Sequence, residues 1–125
     1  KEHLGVLPDT VLPGYVIQYE IIATNTASGS LSADILRNVS LIGVIPKGTV
    51  YIEYSVSDAG QASFSIDGGK TYSLWPISYK AKLPDGSEII RKAGPELCTG
   101  IRWIIPEIKP QDTRKVVYRV KVRAG

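Results

Sequence analysis

The feature that most constrains this chain is a period of two: short runs of alternating side chains, divided by turn markers, repeated to its end. In YVIQYEIIATN, Tyr15, Ile17, Tyr19, Ile21 and Ala23 fall on one side while Gln18, Glu20 and Thr24 fall on the other, as in a half-buried strand. In VYIEYSVS the apolar set is Val50, Ile52, Tyr54 and Val56, with Glu53, Ser55 and Ser57 outside. The last run is cleaner: Val116, Tyr118, Val120 and Val122 face in, and Arg119, Lys121 and Arg123 face out. No stretch holds a 3.6-residue period over three turns, so helices are not expected.

Between the runs stand Pro13-Gly14, Asn25 to Ser30, Pro46-Lys47-Gly48, Asp58-Ala59-Gly60, Asp67-Gly68-Gly69, Pro84-Asp85-Gly86 and Pro110-Gln111-Asp112. Pro presets φ at a turn start, Gly supplies positive φ, and Asp or Asn bonds the backbone that follows it. Strands are predicted near residues 15–25, 35–45, 49–57, 62–66, 71–74, 77–83, 88–92, 100–105 and 114–123, with the pair around 77–92 forming a hairpin on Asp85-Gly86. Such short, even spacing predicts an all-β sandwich of two antiparallel sheets.

With 125 residues and 43% hydrophobic content, one domain spanning 1–125 is expected, burying about two thirds of its unfolded surface. The absence of Met, including at position 1, predicts a module excised from a larger protein. No apolar run nears the roughly 20 residues that span a bilayer, so no membrane contact is expected from this segment. Residues 1–60 carry 3 basic and 6 acidic side chains and residues 61–125 carry 12 and 6. That asymmetry would favour head-to-tail contacts or an anionic partner, although alternation of basic with apolar residues reads first as solvated surface. The basic face of Arg119, Lys121 and Arg123 lacks aromatic interleaving, so no nucleic acid is expected.

The stretch SIDGGKTYSLW, Ser65 to Trp75, fits the Asp-box pattern S-x-D-x-G-x-T-[WYF] at Ser65, Asp67, Gly69, Thr71 and Tyr72. Asp-boxes are best known from propeller-type sialidases, but they also occur as hairpin staples in other folds. The chemistry here favours the staple: Asp67 accepts turn N–H groups, Gly68 and Gly69 supply the φ, and Tyr72 packs beneath. A glycosidase needs two carboxyl groups about 5–9.5 Å apart across a sugar cleft. Asp67, Asp85 and Glu88 are the candidates, and each sits at or beside a predicted turn where capping and solvation explain it.

Three blocks of the sequence resemble one family. VLPGYVIQYEIIATNTAS resembles the P-G-x-x-[VI]-x-Y-x-[IV]-x-[VA]-x-N opening of the prokaryotic conserved-repeat domain, domain of unknown function eleven. GVIPKGTVYIEYSV is similar to its D-x-[IL]-P-x-G-x-x-Y turn, and IRWIIPEIKPQDTRKVVYRVKV to its closing block around a Trp. The order is right and nearly the whole chain is covered, although Val44 stands where the family carries an acid and the 61–98 segment is longer than in short members. The resemblance implies an immunoglobulin-like β-sandwich of about seven to nine strands in a secreted, cell-surface or envelope protein, next to further domains. It supplies no catalytic residues.

The remaining chemistry is sparse. His3 is the only histidine and Cys98 the only cysteine, so Ser–His–Asp and Cys–His arrangements lack a well-placed base. Cys98 is expected as a half-buried free thiol, Trp103 as core. No metal or other cofactor is expected; calcium at Asp58, Asp67 or Asp85 would need backbone carbonyls and lacks any known loop spacing. Two readings stand open for Tyr72, Trp75 and Tyr79: core packing under the hairpin, or an exposed aromatic platform for a glycan or protein. The expectation is a non-enzymatic spacer, stalk or assembly module, with a binding module or an accessory domain of a larger hydrolase as alternatives.

Overall fold

The computed structural model describes residues 12–29 and 32–124. These described residues contain eight strands: β1 (Val16–Thr24), β2 (Leu36–Val44), β3 (Thr49–Tyr51), β4 (Ala62–Ser65), β5 (Ser78–Lys82), β6 (Glu88–Lys92), β7 (Gly100–Ile108) and β8 (Thr113–Val122). They form two three-stranded sheets, β1-β8-β3 and β2-β7-β4, and a β5-β6 ribbon, all antiparallel.

This order is an immunoglobulin-like sandwich. Such folds set strands B, E and D side by side in one sheet and C and F in the other. Here β2-β7-β4 reproduces B-E-D, β3 and β8 reproduce C and F, and β1 takes the place of G beside F. The β5-β6 ribbon is an insertion between D and E, and among the described residues no strand fills the position of strand A outside β2.

The alternation of β8 places Val116, Tyr118 and Val120 in the core at 0% exposure, opposite Trp103, Ile101 and Ile105 of β7. Tyr118 stacks on Tyr19 at 5.4 Å between ring centroids and lies 6.0 Å from Trp103. Its hydroxyl donates to the Val44 carbonyl at 2.7 Å. Asn25 is the polar node of the interior: its amide donates to the carbonyls of Asp34 (2.7 Å) and Ile108 (2.8 Å) and its Oδ1 accepts from Ala27 N–H. The outer ends of β1 and β8 are joined too, Gly14 N–H to Val122 C=O and Val122 N–H to Tyr15 C=O, each at 2.9 Å.

Three expectations need correcting. The run 49–57 is a strand only over Thr49–Tyr51, and it is Thr49 and Tyr51 that are buried, while Tyr54 is 77% exposed with φ 64°. The opposite set of that run holds a single large apolar side chain, Tyr51, yet the ring cluster of Tyr51 with Phe64 outcompetes the Val50 phase. The segment 71–74 is no strand: only Ser73 pairs, with Phe64, through bonds of 2.7 and 2.8 Å. Tyr15, ahead of β1, is 53% exposed.

Candidate functional site

The Asp-box turn joins β4 to the Ser73 bridge, and its polar groups are consumed locally. The buried Ser65 hydroxyl donates to Asp67 Oδ1 at 2.7 Å and accepts the Gly69 N–H at 2.9 Å. Asp67 Oδ1 also accepts the Thr71 N–H at 3.0 Å, and Oδ2 accepts the Thr71 hydroxyl at 2.6 Å. Gly68 and Gly69 take φ of 76° and 92°, and the Gly68 N–H reaches Thr99 Oγ1 at 3.0 Å, fastening the turn to the start of β7. Thus Asp67 gathers one backbone donor and two hydroxyls, a mixture the sequence left as backbone donors alone.

The Thr71 hydroxyl first, then the Thr71 N–H and the Ser65 hydroxyl, hold the Asp67 carboxyl well below the usual carboxylate range. A carboxyl depressed on folding stabilises the fold fully above its unfolded value of about 4, and that contribution is lost as pH falls toward the depressed one. Asp67→Asn is therefore expected to lower the melting temperature at neutral pH and to flatten the acid limb below pH 4. Thermal melts from pH 7 to pH 2 check this; parallel curves for the two proteins would contradict it.

The three aromatic candidates do not line one cleft among those described. Tyr72 borders a cleft of about 380 Å³ with Ile42, Val44, Gly68, Gly69 and Gly100, and the Arg102 guanidinium covers its ring at 4.4 Å from the centroid. Trp75 belongs to a second cleft, of about 270 Å³, with Tyr51, Tyr54, Val56, Phe64 and Leu74. Tyr79 lies half-buried on β5 and borders neither of these clefts.

Trp75 is half-buried, between the two readings of the sequence. Its ring packs at 5.8 Å from Tyr51 and 5.4 Å from Phe64, and its indole N–H donates to Glu53 Oε2 at 2.9 Å. Tyr54 and Leu74 stand at the cleft with 77% and 75% exposure. Sequence reasoning missed Glu53, which was read as plain outward surface. The cleft is apolar and lies below the roughly 300–1,000 Å³ of small-molecule pockets, a size suited to an inserted side chain.

The other candidates are accounted for. Asp85 accepts the Ser87 hydroxyl at 2.6 Å and its N–H at 2.9 Å, which hold its carboxyl low, while Glu88 begins the exposed strand β6. Asp58 lies 3.8 Å from Arg114. Among the described residues no group of three or more His, Cys, Asp or Glu is placed to hold a metal ion, and no helix is long and apolar enough to cross a membrane. His3 lies outside the described residues.

Cys98 is more deeply buried than expected, at 4% exposure, and desolvation pushes its thiol up to about 12. The thiolate is the reactive form, so Cys98 should resist a disulfide reagent at pH 8 until the domain opens. Labelling that tracks the fraction unfolded across a urea series is the expected result; rapid labelling of the native protein would contradict the burial.

Comparison with known proteins finds no matching family model, no matching curated protein and no matching solved structure.

Proposed function

We propose that this chain is a non-catalytic structural and interaction module, a spacer, stalk or assembly domain, of a secreted or cell-surface prokaryotic protein. The observation that carries the reading is the state of Asp67: both carboxylate oxygens already hold turn donors, so the motif that most suggests sugar cleavage serves as a staple between β4 and β7. The three sequence blocks that resemble the conserved-repeat domain support the placement outside the cell and beside further domains. A panel of aryl glycosides, sialosides included, tests it: no hydrolysis above buffer is expected. Turnover that disappears in Asp67→Asn would overturn it.

A second reading has its own support in the Trp75 cleft. Its exposed rim of Tyr54 and Leu74, above the rings of Tyr51 and Phe64, fits recognition of an apolar or sugar group by a binding module. Glycan-array or partner binding abolished by Trp75→Ala with an unchanged fold would favour it; binding indifferent to that change would remove it.

A further inference from the structure

Among the described residues, two of the four margins of the sandwich are open, and they lie on one side. β1 and β2 are each nine residues long and stand at the ends of their sheets. Beside and along them Tyr15, Val16, Ile22, Leu36, Ile42 and Val44 are 46–60% exposed. The opposite margins are guarded: β3 runs for three residues before the chain turns away, and β4 is flanked by Ser73. A long open edge with apolar flanks is a template for another strand.

β2 is the better template. It borders the place where an immunoglobulin sandwich carries strand A, so an added strand displaces none of the described residues. The Ile45 N–H donates to Thr99 C=O at 3.1 Å, and the alternation of an antiparallel ladder then turns the backbone groups of Ser40 and Ile42 toward the open side. Asn38, with φ 52°, interrupts the regular strand and leaves Val39–Val44 as the pairing stretch.

We propose that β2 is a self-association edge on which two copies of this chain pair antiparallel about a two-fold axis at Ile42, joining their β2-β7-β4 sheets into one. The occupant is a second copy because β2 is self-complementary. Its one charged residue, Arg37, lies outside the pairing stretch and is held by Glu107 at 3.0 Å. The axis sets Ile42 against itself and Ser40 against Val44, with no like charges opposed. β1 fails the same test, since a two-fold through its middle sets Glu20 against Glu20, which is destabilising. The proposal deepens the assembly role of the proposed function but rests on edge geometry alone, so its failure leaves the non-catalytic reading intact.

Sedimentation equilibrium of the chain over a micromolar to millimolar range, with amide hydrogen exchange, tests it. The expected result is a monomer–dimer equilibrium in which the Ser40 and Ile42 amides slow as the dimer fills. Ile42→Glu, at an exposed position beside Arg102 in the register, should give a monomer with an unchanged melting temperature and fast exchange at both amides. Ser40→Pro, which deletes the outward donor, should do the same. A monomer at every concentration overturns the proposal, as does a dimer that both substitutions leave intact, or protection of these amides in a monomer.

Discussion

Trp103→Ala is expected to destabilise the domain by about 3–5 kcal/mol, a large part of the 5–15 kcal/mol typical of a whole domain. Trp103 is 0% exposed and is the largest fully buried side chain of the core. It also joins the two sheets, because its indole N–H donates to the Ser57 carbonyl at 2.8 Å while the Ser57 hydroxyl accepts Val117 N–H of β8 at 2.9 Å. Alanine empties the space between Tyr118 and the sheets and strands the Ser57 carbonyl. Urea and thermal unfolding should show the loss as a fall of roughly 10–20 °C in melting temperature. Trp103→Phe should cost less, about 1–3 kcal/mol: it keeps one aromatic ring while removing the donor and the rest of the indole. A loss below about 1.5 kcal/mol for the alanine variant would show that Trp103 is not the keystone of the core.

Gly43→Ala should cost about 1–3 kcal/mol, and Gly43→Val more, although the position faces no conformational barrier to a side chain. A Cβ there would lie 2.6 Å from Tyr118 Cε1 and 2.9 Å from Cζ. Tyr118 cannot retreat, since Tyr19 and Trp103 hold its ring and Val44 its hydroxyl. An exposed Gly→Ala change at permissive φ usually stabilises by about 0.4–1 kcal/mol through the unfolded chain, so the sign of the effect is diagnostic. In a Tyr118→Leu background the clash is relieved, and the cost of Gly43→Ala should shrink by about 0.5–3 kcal/mol. Additive costs in the double variant would trace the damage to something other than the tyrosine ring.

The contrast between β8 and β3 shows how far the alternation of a sequence carries. In β8 every second residue from Val116 to Val122 is apolar and the opposite phase carries Arg119 and Lys121, so period and phase could both be read. In the 49–57 run the alternation favours Val50, Ile52, Tyr54 and Val56, but the decision falls to Phe64 and Trp75, far away in sequence, which recruit Tyr51 from the opposite phase. The Asp-box was legible because the bonds of Asp67 are local, within the stretch from Ser65 to Thr71, whereas its tie to Thr99 was not. Trp75 was not, because the group that orients it, Glu53, lies 22 positions back. Asn25 and Gly43 left a readable trace: each continues the inward phase of its strand, at a position where a polar or missing side chain asks for a reason. The first answers with its bonds to Asp34 and to the end of β7, the second with the ring of Tyr118.

The bonds that join Gly14 and Tyr15 to Val122 bear on how the domain would carry a load. Because the two strands are antiparallel, the chain leaves both at the same end of the sandwich, and tension applied there acts across the ladder instead of along it. Hydrogen bonds then part in succession, like a zipper, where a sheared seam would have to lose them together. Once β1 peels away from β8, the core between Tyr19 and Tyr118 is laid open. The stretch from residue 14 to residue 122 could pay out an extended chain of roughly 350 Å. A single-molecule pulling experiment should find a low opening force followed by a long extension; a high force peak would contradict the zipper geometry. Placed in series with stiffer neighbours, such a unit yields first and works as an extensible fuse.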